Sequence, residues 1–269
     1  MTVPDVLGGP AAANLGAPLA RANPVAKLAV AVAVSAALVL TVDVVTAGVA
    51  LALEAVALPW CGLGPWALLR RGWIVIVGAV PAGITTAMWA VDSGAVLAGL
   101  GPMTVTEGSL LAGAAITLRV LAIGLPGVVL LATTDPTDLA DALAQNLRLP
   151  HRFVLAALAA MRLFGVLAEE WRALTMARRA RGVGDGGLGG RLRTLAGQVF
   201  ALLVLAVRRA TVLATAMEAR GFGVAARRTW ARPSRFGPAD AVVALGGVAL
   251  AALATAAGIA AGTWNLVLT

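Results

Sequence analysis

The 269-residue chain has no tyrosine, one cysteine, one histidine and one lysine, and only 13% of its residues are charged. Each scarcity closes off a chemistry. Cys61 has no second thiol to pair with, so no intrachain disulfide forms, and no neighbouring cluster supports a nucleophilic or metal-bound thiolate. His151 stands alone, and no grouping of His, Cys, Asp or Glu has ligand spacing, so no metal is expected. With no tyrosine and 4% aromatics there is no platform for stacked bases, so the net charge of +8 does not point to nucleic acid. No Gly-x4-Gly-Lys-Ser/Thr phosphate loop occurs. The glycine-rich stretch from Gly182 to Gly190 lacks the lysine and follows no strand, and reads as a flexible link. No catalytic constellation and no cofactor motif remain, so an enzyme is not expected. Residues 1–20 have neither the basic n-region nor the apolar h-region of a signal peptide; residues 1–25 read as a leader rich in Ala, Gly and Pro.

What is present is apolar length. Hydrophobic residues make up 60% of the chain, against roughly 45–50% in soluble domains. That excess needs the lipid bilayer as its solvent. The 31 glycines and abundant alanines suit helices that pack closely. Apolar runs at 28–42, 44–58, 73–91, 109–132 and 240–267 predict about five transmembrane helices. The fold class is therefore an all-α integral membrane protein, with transmembrane helices 1–4 in residues 26–132 and a fifth in 239–269. Residues 59–71 read as a loop flanked by Trp60, Trp66 and Trp73, and residues 92–107 as another, devoid of Lys and Arg. Sixteen of the 21 Lys and Arg residues fall in 133–238. By the positive-inside rule this segment and the N-terminus face the cytoplasm of a multi-pass protein of the inner (plasma) membrane, with Asp43, Asp92 and Glu107 on the other side.

Segment 133–238 is organised differently. Asp135 followed by Pro136 marks a helix start. Two long helical patterns follow, from about His151 to Arg181 and from about Arg191 to Arg220. Their uninterrupted apolar runs, 153–160 and 195–207, are short for spans, which favours long amphipathic helices on the cytoplasmic face over a further transmembrane hairpin. Both end in the same tripeptide, Ala180-Arg181-Gly182 and Ala219-Arg220-Gly221. One such ending is an ordinary C-cap: glycine suits the left-handed C′ position, and a cation complements the helix dipole. Two copies on one basic segment also suit a pair of planar guanidinium anchors for carboxylates on a partner, with Arg178 and Arg179 flanking the first.

These residues resemble a known family. The run from Thr133 to Leu143, then Pro150, Arg162, Glu169 and Glu170, and Ala177 to Gly182, is similar to the coupling domain of the transmembrane T component of energy-coupling factor (ECF) transporters. The stretch from Ala216 to Phe222 resembles that family's second signature, and Asn23 to Leu28 its first-helix opening. The resemblance implies a membrane scaffold with no ATPase of its own. It implies two coupling helices that dock into two ABC-type ATPase subunits, and a separate small membrane substrate-binding (S) subunit for a vitamin or transition-metal ion. Carried over, Arg181 and Arg220 would contact the ATPases, and Ala180, Gly182, Ala219 and Gly221 would permit close approach. An integral-membrane phosphotransferase fits poorly, because no aspartates follow Asp185 at metal-holding spacing. A generic membrane scaffold or permease with another partner is the alternative. One further expectation concerns the membrane interior. Arg119 lies mid-span and needs a partner there, and Glu54 is the acid in another span, so the two are expected to pair, with freed backbone carbonyls as the alternative.

Overall fold

The structure is a computed structural model that describes residues 17–41, 43–90, 94–100, 103–182, 187–222 and 229–264. Most of the expected leader, Asp92 and the middle of the glycine-rich link (183–186) lie outside the described residues. In chain order the elements are α1 (Pro18–Arg21), α2 (Pro24–Leu40), α3 (Val44–Ala57), a 3-10 turn (Leu58–Cys61), α4 (Pro65–Trp89), β1 (Val96–Leu100), β2 (Met103–Thr106), α5 (Glu107–Thr133), α6 (Pro136–Gln145), α7 (His151–Ala180), α8 (Leu188–Ala219) and α9 (Pro238–Ala260).

Local chemistry explains most helix starts. Proline opens α1, α2, α4, α6 and α9, where its missing N–H costs nothing and its fixed φ is already helical. Asn23 caps α2 by accepting from Val25 N at 3.0 Å. Asp43 caps α3 by accepting from the Thr46 backbone N–H and, at 2.9 Å, from its hydroxyl. Thr106 and Ser109 form a reciprocal capping box at the start of α5. Asp135 Oδ1 accepts from Thr137 N at 2.7 Å, as its place before Pro136 suggested.

The chain divides into two compact units among its described residues. The first, residues 17–142 and 234–264, is a helical bundle in which Val34 and Leu38 of α2 pack with the small buried residues Ala47 and Ala50 of α3, Ala122 of α5 and Ala254 of α9. Small side chains let backbones meet. A Cβ added at Gly83 of α4 would lie 2.7 Å from the Gly113 carbonyl oxygen of α5 and collide with Thr117. A Cβ added at Gly247 of α9 would lie 2.8 Å from the Val30 Cα of α2. The second unit, residues 143–233, holds α7 and α8.

Two sequence expectations need correction. The stretch read as a loop at 59–71 is a single 3-10 turn closed by left-handed Gly62 (φ 68°), after which Pro65 at once starts α4, so Arg70 and Arg71 lie inside that helix. Its glycines and prolines punctuate a turn rather than a long loop. The expected loop at 92–107 contains an antiparallel hairpin, β1 with β2, irregular between Val96 and Ala98. The number of candidate spans agrees with the expectation of about five, and their membership differs by one. Among the described residues five helices are long and apolar enough to cross a membrane, α3 together with its following 3-10 turn (Val44–Cys61, 18 residues) and α8 among them; α2, at 17 residues, is shorter than these. The charge-free run of α8 stops at Arg208 and Arg209, yet an 18-residue stretch of the helix stays apolar with no more than two charges in it.

Candidate functional site

The candidate site consists of two helix ends in the second unit. α7 is 30 residues long and α8 is 32, so at about 1.5 Å per residue each reaches roughly 45 Å. They terminate alike. Arg181 caps α7 with φ −88° and ψ 7°, and Arg220 caps α8 with φ −88° and ψ 10°. Each is followed by a left-handed glycine, Gly182 at φ 69° and Gly221 at φ 80°. Gly221 N donates to Glu218 O at 2.9 Å and Phe222 N to Met217 O at 2.9 Å, the paired bonds of a Schellman ending. Gly182 N makes the equivalent bond to Arg179 O at 3.0 Å. The repeat in sequence is therefore a repeat in backbone geometry, because only a residue free to take positive φ turns the chain off the helix this way.

Ala180, Arg181, Gly182, Ala219, Arg220 and Gly221 are all exposed, as is Arg179. Arg181 and Arg220 each stand at a helix end whose last carbonyl groups have no further helical partner, at the negative end of the helix dipole. Arg178 differs. It is half-buried, and its Nη1 donates to Thr194 O of α8 at 3.0 Å, beside Gly197. A side chain at position 197 would crowd it, since a Cβ there would sit 3.2 Å from the guanidinium nitrogens. About two helical turns back along α7, Glu170 pairs with Arg209 of α8. Arg178 and Arg209 thus join the two long helices, leaving Arg179, Arg181 and Arg220 as the outward cations of the signatures. Sequence reading grouped Arg178 with Arg179, although adjacent residues on a helix point about 100° apart.

Arg119 and Glu54 are not brought together. Arg119 Nη2 donates to the Val39 carbonyl oxygen at 2.5 Å, and both carboxylate oxygens of Glu54, which is 5% exposed, have no hydrogen-bond partner among the described residues. The reason is the end of α2 at Leu40: its last carbonyls have no partner within the helix and gather the negative end of its dipole. A guanidinium on α5 satisfies one of them without needing a carboxylate. The backbone alternative thus holds in kind, with a carbonyl of α2 in place of one near Pro126.

Comparison with known proteins agrees with this architecture. The family described as CbiQ, cobalt transport protein, matches residues 16–230. The energy-coupling factor transporter transmembrane protein EcfT of Bacillus subtilis is 30% identical over 198 residues, covering 70% of this chain and 75% of that protein. The EcfT protein of Bacillus selenitireducens is 34% identical over 149 residues, 52% of this chain, and the match spans only 56% of that relative. A protein of Bifidobacterium longum named for ABC transporter ATP binding is 26% identical over 206 residues, which is 73% of this chain and 26% of that protein. A family match over most of the chain, and a relative covered over three quarters of its length, show that this multi-pass membrane protein belongs to the CbiQ/EcfT family, the transmembrane T components of energy-coupling factor transporters.

Proposed function

We propose that the chain is the scaffold that carries the work of two ABC-type ATPase subunits to a small membrane-embedded S subunit, which binds a vitamin or a transition-metal ion. The observation that carries this reading is the pair of matched helix ends: Arg181 and Arg220 share backbone angles to within a few degrees, both are exposed, and each sits at the tip of a long helix. Two equal anchors suit two equal subunits. A planar guanidinium at a helix tip is suited to bidentate pairing with a carboxylate in a groove. The similarity to a quarter of a longer protein named for ATP binding supports the same partner class.

The exposed stripe Phe200, Leu203 and Val207 on α8 supports an apolar partner, the S subunit or lipid, along the arms. The sixteen cations in 133–238 support a cytoplasmic position for this segment, with the N-terminus on the same side. The test is co-purification of the full chain with its candidate ATPases after Arg181→Glu, Arg220→Glu and both. Charge reversal places a carboxylate against a carboxylate, so each single variant weakens the complex and the double variant loses it. An intact, transport-competent complex from the double variant would overturn the assignment.

A further inference from the structure

In sequence the second unit is joined to the bundle through two roots that belong to the bundle: the outgoing root begins at the end of α5, at residues 133–134, and runs through α6 to residue 142, and the returning root begins at residue 234, ahead of α9. Both roots are bound by one turn of α2. Asn23 and Lys27, four residues apart and so on one helix face, are 7% and 8% exposed. Asn23 holds the return: its Nδ2 donates to Ser234 Oγ at 3.1 Å and to Arg235 O at 3.2 Å, and its backbone N donates to Asp240 Oδ1 at 2.6 Å. Lys27 holds the exit: its Nζ lies 3.2 Å from Thr133 O, 3.0 Å from Thr133 Oγ1 and 3.3 Å from Thr134 Oγ1, and reaches Ala20 O at 2.9 Å. Arg71 adds a bond to Ala132 O at 2.9 Å.

The stability of α2 does not account for Lys27. A cation in the first turn of its own helix opposes the dipole there. Its favourable partner is the negative C-terminal end of α5, whose last carbonyls it fills. Burying an ammonium in an apolar bundle is costly unless its donors are used, and here four oxygens surround three N–H bonds. With independent roots, any displacement of the arms would be taken up by bending at one root or the other. With both tied to the same turn, it reaches the bundle as movement of a single body.

We propose that the first turn of α2, through Asn23 and Lys27, is a clamp that locks the exit and return of the arm-bearing segment to each other, making these two positioning residues for coupling. The role in coupling rests on the scaffold reading above; the clamp itself does not.

The experiment measures the distance between the two roots. Spin labels replace the exposed Leu131 and Val242 in a Cys61→Ala background, in the full chain in lipid nanodiscs. The parent gives one narrow distance. Lys27→Met and Asn23→Ala each broaden it, the double variant most, and Lys27→Arg, which keeps charge and donors, restores it. Ser234→Ala and Thr134→Val remove single tethers from the far side, should the α2 variants fold poorly. With ATPases bound, ATP shifts the root-to-root distance in the clamp variants and leaves it fixed in the parent. A double variant as narrow as the parent would overturn the clamp. Failure of the parent to bind ATPases would instead overturn the scaffold reading, while the distance in the chain alone still decides the clamp.

Discussion

In the bundle, α4 and α5 meet backbone to backbone at Gly83 and Gly113; in the second unit, α7 and α8 are joined by the side chains of Arg178 and Arg209. The first contact leaves no space for even one added carbon, whereas at Gly165, in the middle of α7, an added Cβ meets nothing within 4 Å. Where the bundle buries Val34 and Leu38 almost completely, α8 leaves Leu195, Phe200, Leu203 and Val207 exposed. The bundle is complete in itself once lipid surrounds it, because dispersion between closely packed small residues and satisfied caps hold it together. The arms have faces left over. The difference separates a closely packed bundle from two helices whose exposed apolar side chains are left for lipid or a partner to cover.

The comparison breaks most sharply if the tight contact tolerates bulk. Gly83→Val places branched carbons against Thr117 and the Gly113 carbonyl oxygen, and the backbone on the far side cannot yield as a side chain would. Overpacking of this kind costs about 1–3 kcal/mol when side chains can shift, and more when they cannot. The expected result is loss of the monodisperse peak in detergent, or a large fall in thermal midpoint, for Gly83→Val and Gly113→Val. A midpoint unchanged from the parent would mean that α4 and α5 are not in backbone contact.

The second prediction concerns the levers. Arg181 and Arg220 are exposed, so the double charge reversal costs the fold only the interaction with each helix dipole, about 0.3–1 kcal/mol apiece, lowers the thermal midpoint slightly and acts chiefly on assembly. Guanidinium anchors at interfaces are frequent hot spots, worth at least about tenfold in affinity each when truncated. Titration of labelled ATPase against each variant reads this directly. Equal losses from the two single variants would support two equivalent grooves, and a loss from only one would break the symmetry drawn from the backbone angles.

Much of this division was legible in the residues. The Ala-Arg-Gly repeat fixed both helix ends because glycine after a helix leaves few conformations open, and Asp135-Pro136 fixed a start for the same local reason. What could not be read depended on neighbours distant in sequence. Arg178 and Arg179 are alike in sequence, and only the position of Thr194 separates the clasp from the outward cation. The 92–107 stretch has the glycines and the proline of a loop, and its hairpin appears only when one half pairs with the other. Glu54 was assigned to Arg119 because a sequence displays charges and hides carbonyls. The open C-terminus of α2 was the better acceptor.

That last point yields a third prediction of smaller size. Arg119→Met and Glu54→Gln have no partner in common, so a double-mutant cycle on unfolding should give a coupling below about 0.5 kcal/mol. The charge swap, Arg119→Glu with Glu54→Arg, should rescue neither single change. A coupling of about 1 kcal/mol or more would restore the ion pair and remove the Val39 carbonyl from the account.

The smallest effects give the finest comparison, because one substitution is expected to change sign within a single helix. At Gly165 of α7 the helix is regular and open around the missing Cβ, so Gly165→Ala removes unfolded-state freedom and adds about 0.5–1 kcal/mol of helix stability. At Gly182, seventeen residues further on, the space is equally open but φ is 69°, which alanine adopts only under strain. Gly182→Ala therefore costs on the order of 1 kcal/mol and falls on the last turn alone. Amide hydrogen exchange resolves the two: slower exchange through the middle of α7 for Gly165→Ala, faster exchange confined to the residues around Arg178 to Arg181 for Gly182→Ala. If Arg181 is the proposed ATPase contact, holding that turn holds the contact, so the second variant should also weaken ATPase binding slightly, while the first leaves it unchanged. If both variants slowed exchange, the left-handed ending would not be what fixes the arginine, and the match between the two helix tips would lose its physical cause.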